Sequence, residues 1–93
     1  MLEATAKTIE LLKTLEETHL ETLKEYLRIP SVSTDPAFRD DVRRCAEFVL
    51  AKMKEAGLEA RLIEASEAGV DEGHPMVYGE WLGAPGQPTV LFY

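Results

Sequence analysis

The chain contains two histidines, and each has carboxylates close to it in sequence. His74 follows Asp71 and Glu72, and His19 lies one helical turn after Glu16. Imidazole and carboxylate groups are common zinc ligands, but a zinc site needs three or four ligands that converge on one ion. Neither group supplies that number, although His74 is the better candidate of the two. We interpret His74 as an exposed residue before a strand and His19 as part of a helix surface.

The single cysteine and a glycine-rich segment are the other candidates for chemistry. Cys45 falls on the apolar side of a helical pattern, where a small buried thiol is expected, and a reactive thiol needs a helix N-terminus or a neighbouring base. Residues 83–88 (GAPGQP) contain no lysine and precede no helix, so they indicate a hairpin turn rather than a phosphate-binding loop. HExxH, CxxC, GxSxG and Walker motifs are absent from the sequence. We therefore assign no catalytic, cofactor-binding or metal-binding residue to the chain.

The composition is that of a soluble globular protein with an acidic surface. Seventeen acidic and ten basic residues give a net charge of -7, and 45% of the residues are hydrophobic. Nucleic acid is excluded as an expected partner, because binding to its phosphates requires clustered lysine and arginine. No segment approaches the roughly 20 apolar residues that span a bilayer, so no membrane association is expected. The lone cysteine and the lack of a signal-peptide pattern favour a cytoplasmic location.

Two amphipathic helices are predicted before residue 58. The first covers residues 2–27, where apolar residues recur at spacings of three to five, and Pro30 stops it near Arg28. The second begins either at Asp35-Pro36 or at Arg39-Asp40, which fit its start almost equally well, and it ends before Gly57. Its packing face is formed by Val42, Cys45, Ala46, Val49, Leu50 and Met53.

A small β meander is predicted after these helices. Residues 58–64 alternate between apolar and charged side chains, which is typical of a strand packed on one face. Residues 66–74 are a polar loop. Residues 76–82 form the second strand, in which Gly79 indicates a bulge or a close backbone approach. We expect Tyr78 and Trp81 to pack on or shield a face of this sheet.

Residues 89–93 (TVLFY) are uncharged and mostly apolar or aromatic, which predicts a third strand. Such a strand is covered on both faces in the middle of a sheet, and here it would pair antiparallel with the second strand. The predicted fold class is therefore α/β, with two helices covering a β meander. Because a central strand needs neighbours and covering layers, we expect residues 1–93 to be the N-terminal part of one larger catalytic domain, with no internal boundary.

Three stretches of the sequence resemble the beginning of the zinc-dependent aminoacylase, carboxypeptidase G and carnosine-dipeptidase family. They are residues 23–33 (LKEYLRIPSVS), residues 53–58 (MKEAGL) and residues 86–93 (GQPTVLFY). The IPSVS segment is the most specific of these pieces. Residues 78–86 (YGEWLGAPG) are more similar to the dipeptidase branch. The resemblance covers nearly all of the chain beyond its first few residues.

This resemblance implies the N-terminal scaffold portion of a dinuclear zinc metallopeptidase that hydrolyses the amide bond of dipeptides or N-acyl amino acids. In that family the strand that resembles residues 89–93 continues into Gly-His-x-Asp-x-x-Pro, which supplies the first zinc ligands. The resemblance thus implies two zinc ions in the complete enzyme and none bound by this chain, which is expected to be inactive alone. It implies the remainder of the polypeptide and a small peptide substrate as partners, and it is compatible with a homodimer of the complete enzyme.

The alternative hypothesis is a small, self-contained acidic α/β module. Such a module would bind a partner protein through its sheet edge or through the acidic faces of its helices. A cooperative, monomeric protein favours this alternative, whereas aggregation or recovery with a second polypeptide favours the larger enzyme.

Overall fold

The computed structural model describes residues 2–93, which form three α-helices and a two-stranded antiparallel sheet. The α/β class is therefore confirmed. The elements are α1 (Leu2–Thr14), α2 (Glu16–Arg28), α3 (Arg39–Glu55), β1 (Glu59–Ile63) and β2 (Met76–Glu80). Two compact units divide between Pro30 and Ser31, so that α1 and α2 belong to the first and the other elements to the second. The expectation of a single larger catalytic domain stays a prediction.

The long helix predicted for residues 2–27 is instead two helices that are separated at Leu15. The amide of Leu15 is shared between the carbonyls of Leu11 and Leu12, at 3.1 and 3.2 Å. The Thr14 hydroxyl also donates to the Leu11 carbonyl, at 2.7 Å. The hydroxyls of Thr8 and Thr22 bond helix carbonyls in the same way without an interruption, so the feature specific to the break is the shared amide of Leu15. Apolar spacing contains no information on such sharing, so the sequence did not predict the break.

The end of α2 follows the prediction from Pro30. Ile29 adopts extended geometry at φ -80° and ψ 116°, and the helix ends at Arg28. The proline ring disfavours helical geometry in the residue that precedes it.

Both predicted starts of the second helical segment are used. A carboxylate oxygen of Asp35 accepts a hydrogen bond from the Ala37 amide at 3.0 Å and caps a 3-10 turn over Pro36–Phe38. The helix α3 then begins at Arg39. Beyond its last residue, Gly57 has a φ of +90°, a conformation that favours glycine after a helix end.

The two strands pair in a continuous register without a bulge. Ala60 lies opposite Gly79, and Leu62 lies opposite Val77. Ala60 and Leu62 are half-buried whereas Arg61 between them is exposed. The alternation predicted for residues 58–64 is therefore confirmed. Helix α3 packs against both strands.

Gly79 is a point of close approach, which confirms one of the two predicted roles for this glycine. A Cβ atom at this position would lie 2.8 Å from the sulfur of Met53 on α3. The absence of a side chain at residue 79 therefore allows the helix to approach the sheet.

The third strand of the predicted meander does not form, and this part of the prediction is wrong. Residues 89–93 have no strand structure, and Val90 to Tyr93 are 69% to 117% exposed. The preceding turn does form, because the Gln87 amide donates to the Ala84 carbonyl at 3.2 Å. An apolar segment becomes a central strand only where other layers cover it. In the described part of the chain helix α3 covers β1 and β2, but no layer covers residues 90–93, which remain exposed.

Candidate functional site

An open apolar concavity lies between β2, the C-terminal end of α3 and residues 84–92. Its volume is about 490 Å³, and Met53, Leu58 and Gly79 are among its lining residues. This volume falls in the range of small-molecule sites, roughly 300–1,000 Å³. The described residues that line it include no histidine or cysteine, and Glu80 is their single carboxylate. The concavity is therefore suited to apolar groups and lacks the paired groups of an acid–base or nucleophilic site.

Tyr78 and Glu80 are two of the polar residues that line this concavity, together with Gln87 and Thr89. The Tyr78 hydroxyl donates to the Glu80 carboxylate at 2.8 Å. This hydrogen bond, together with the negative charge of Glu80, raises the pKa of the Tyr78 hydroxyl above its ordinary value. Tyr78 is 44% exposed, so its hydrogen bond to Glu80 lies at the surface. Its ring does not shield a closed face of the sheet.

Trp81 lies beyond the end of β2 and is 61% exposed. Its indole ring rests against Gly83, where a Cβ atom would come within 2.5 Å of Cζ2. The ring therefore packs on the turn that leads to residues 89–93. The prediction that Trp81 packs on or shields a face of the sheet is therefore wrong.

His74 is exposed and is held by the backbone of a distant loop. Its Nε2 atom lies 2.9 Å from the carbonyl oxygen of Ser33. Asp71 and Glu72 precede it in the same loop, but no metal-binding group forms with them among residues 2–93. The predicted exposure of His74 before a strand is confirmed, whereas the contact with Ser33 was not foreseen.

His19 and Cys45 occupy the environments that the sequence predicted. His19 lies on the exposed surface of α2, and its amide donates to the Leu15 carbonyl at 2.8 Å in the helical pattern. Cys45 lies on the packing face of α3 with 7% of its surface exposed, and its thiol is free. A buried thiol of this kind acts as a small hydrophobic residue.

The closest ion pair of the second unit joins α3 to the end of β1. One guanidinium nitrogen of Arg43 lies 2.7 Å from each carboxylate oxygen of Glu64. The hydrogen bond to Glu64 and the charge of that carboxylate raise the pKa of Arg43 above its ordinary value. Both side chains remain more than 40% exposed, so solvent screens the pair and its contribution to stability is small.

Titratable side chains do not converge on a single point in the part of the chain that the structure describes. No group of three or more histidine, cysteine, aspartate or glutamate residues in residues 2–93 is placed to hold a metal ion. No helix in the same range combines the length and the apolar character needed to cross a membrane. The contacts that sequence reasoning missed, His74 with Ser33 and Arg43 with Glu64, join residues 41 and 21 positions apart.

Comparison of the chain with protein-family models, with curated proteins and with solved structures finds no match.

Proposed function

We propose that the chain is the N-terminal scaffold portion of a cytoplasmic dinuclear zinc metallopeptidase that hydrolyses the amide bond of dipeptides or N-acyl amino acids. The observation that carries this proposal is the resemblance of residues 23–33, 53–58 and 78–93 to one peptidase family. In this proposal the helices and strands of the chain support a catalytic centre whose reactive groups lie in the remainder of the polypeptide.

The distribution of apolar side chains supports a scaffold role. Within residues 2–93, Cys45 is the one buried hydrophobic residue, whereas Leu91 and Phe92 are 81% and 87% exposed. A compact domain normally buries many of its apolar side chains, since even a domain of about 60 residues buries around 60% of the surface that its unfolded chain exposes. The two-stranded sheet also leaves one edge of each strand without a neighbour. Further strands and helices of a complete enzyme would cover these surfaces.

The described residues do not by themselves fit a zinc site. His74 directs Nε2 at the Ser33 carbonyl, and His19 belongs to the other compact unit. A catalytic zinc requires three protein ligands and an open position. The proposal therefore gives this chain no ligand and no catalytic step, and it places both in the segment that the family resemblance expects after Tyr93.

The test begins with the reading frame that encodes the residues after Tyr93. We expect the motif Gly-His-x-Asp-x-x-Pro directly after residues 89–93. The protein extended through this motif and the following domain should hydrolyse a panel of dipeptides or N-acyl amino acids, and a chelator should abolish that activity. A chain that ends at Tyr93, unfolds cooperatively and remains monomeric would contradict the proposal and favour the acidic interaction module.

A zinc titration of the 93-residue chain provides the matched control. We expect no stoichiometric heat of zinc binding by calorimetry, because the chain lacks converging ligands. Stoichiometric binding that is lost in both His74→Ala and His19→Ala variants would show that the chain holds its own metal site, and it would overturn the assignment of the chain to the scaffold alone.

A further inference from the structure

His74 joins two loops that are far apart in the sequence. Its Nε2 atom and the Ser33 carbonyl oxygen are 2.9 Å apart, although 41 positions separate the two residues. Ser33 belongs to the segment that leads into the 3-10 turn before α3, and His74 lies two positions before β2. One side chain therefore connects the approach to the helix with the approach to the strand.

The chemistry of this contact determines which ring nitrogen carries hydrogen. A carbonyl oxygen only accepts hydrogen bonds, so Nε2 of His74 must be the donor. A neutral imidazole has one N–H group, and Nδ1 is then left with the free lone pair. A metal ion also needs a lone pair, so Nε2 cannot bind the Ser33 carbonyl and a metal ion at the same time.

The segment that receives this hydrogen bond has weak internal support. The Asp35 amide donates to the Val32 carbonyl at 3.4 Å, which is longer than the usual range of about 2.7–3.2 Å. Asp35 in turn caps the 3-10 turn through the Ala37 amide. A restraint on Ser33 therefore also restrains the turn of residues 32–35. This turn positions Asp35, which caps the 3-10 turn before α3.

We propose that His74 is a positioning residue that acts as a clasp: its Nε2–H group fixes the turn formed by residues 32–35 to the loop before β2. The clasp holds Asp35 where its side chain caps the 3-10 turn over Pro36–Phe38. This inference is independent of the proposed peptidase activity, because it concerns residues 31–93 alone.

Nitrogen-15 spectroscopy of the histidine rings tests the clasp in the unmodified protein. The spectra are recorded at a pH at which both rings are neutral, and the tautomer of each ring is read from the shifts of its two nitrogens. We expect the neutral ring of His74 to carry its hydrogen on Nε2, and we expect His19 to serve as an internal comparison. A predominant Nδ1–H tautomer at His74 would overturn the proposal, because Nε2 would then be unable to donate.

Substitution of His74 tests the effect on the turn. We expect His74→Phe to raise the amide exchange rate of Asp35 roughly fivefold, the size expected for one lost hydrogen bond, and to leave exchange in β1 and β2 unchanged. His74→Gln should restore protection, because its side-chain amide is also a donor. The matched control, His19→Phe on α2, should not change the Asp35 rate. Unchanged exchange in His74→Phe, or a failure of His74→Gln to differ from it, would contradict the clasp.

Discussion

Gly79 of β2 lies directly against Met53 of α3. A Cβ atom at residue 79 would be 2.8 Å from the Met53 sulfur, 3.4 Å from a terminal carbon of Leu58 and 3.5 Å from the Cβ atom of Ala60. The first of these distances is shorter than atoms tolerate, whereas the other two are ordinary contacts. The distance between the helix and the sheet is thus set by a glycine on one side and a methionine on the other.

Enlarging residue 79 should destabilise the second unit in proportion to the added volume. Methionine is flexible and can move away from one methyl group, so we expect Gly79→Ala to lower the free energy of unfolding by about 1 kcal/mol or less. Gly79→Val adds further methyl groups near Leu58 and Ala60 and should cost about 1–3 kcal/mol. Urea unfolding followed by circular dichroism measures both losses.

A double-mutant cycle shows whether Met53 is the cause. In the Met53→Ala background the sulfur is absent, so Gly79→Ala should cost less than it does in the unmodified chain. Strictly additive losses would show that the two residues do not interact and would contradict the contact.

Removing the cap at Asp35 should destabilise the 3-10 turn over Pro36–Phe38, which leads into α3. Asp35→Ala deletes the acceptor of the Ala37 amide, and we expect a loss of about 0.5–2 kcal/mol in the free energy of unfolding. Asp35→Asn retains an oxygen acceptor and is the matched control, for which the loss should be smaller. Equal losses in the two variants would show that the hydrogen bond does not contribute.

The features that the sequence predicted correctly are those with local causes. Pro30 restricts the residue before it, Asp35 and Pro36 start a helical turn, and alternating side chains identify β1. The close approach at Gly79 was also predicted, because a glycine within a strand indicates such a contact. The first three features depend on neighbouring residues in the chain, whereas the signal at Gly79 is local but its partner, Met53, is distant in sequence. The structure contains all four features.

Most features that the sequence did not predict depend on partners that are distant in sequence. The break at Leu15 is a local exception, because its amide is shared between two carbonyls of the preceding turn and apolar spacing contains no information on such sharing. The contacts of His74 with Ser33 and of Arg43 with Glu64 join separate elements. Residues 89–93 have the composition of a buried strand, but the described chain does not provide the layers that such a strand requires.

The hydroxyl of Tyr78 should titrate at a higher pH than that of an ordinary tyrosine. Its hydrogen bond to Glu80 and the carboxylate charge favour the neutral phenol and raise its pKa in the folded state. The stabilisation is therefore complete below the unfolded-state pKa of about 10, and it is lost as the pH rises through the higher folded-state pKa. Ultraviolet titration of the phenolate measures this difference.

Removal of the Glu80 charge tests this explanation of the raised Tyr78 pKa. Glu80→Gln removes the negative charge, and we expect the pKa of Tyr78 to fall toward its ordinary value. Tyr78→Phe removes the group and identifies its contribution against those of Tyr26 and Tyr93. An unchanged titration in Glu80→Gln would show that Glu80 does not control the Tyr78 hydroxyl.

A charged residue at position 91 should hardly change the stability of the 93-residue chain but should prevent folding of the proposed complete enzyme. Leu91 is 81% exposed in the described structure, so Leu91→Lys should change the free energy of unfolding of this chain by no more than about 0.5 kcal/mol. The added charge should also reduce self-association through the apolar segment, as measured by light scattering. Leu62→Lys, at a half-buried position of β1, is the matched control and should destabilise the chain strongly.

In the complete enzyme the same segment would be a covered central strand. Leu91→Lys would then bury an unpaired charge, and we expect it to prevent folding and to abolish zinc-dependent hydrolysis. A complete protein that tolerates Leu91→Lys would show that residues 89–93 remain exposed there as well. That result would remove the structural support for the scaffold proposal, because the apolar surface would then have no covering layer in either form of the protein.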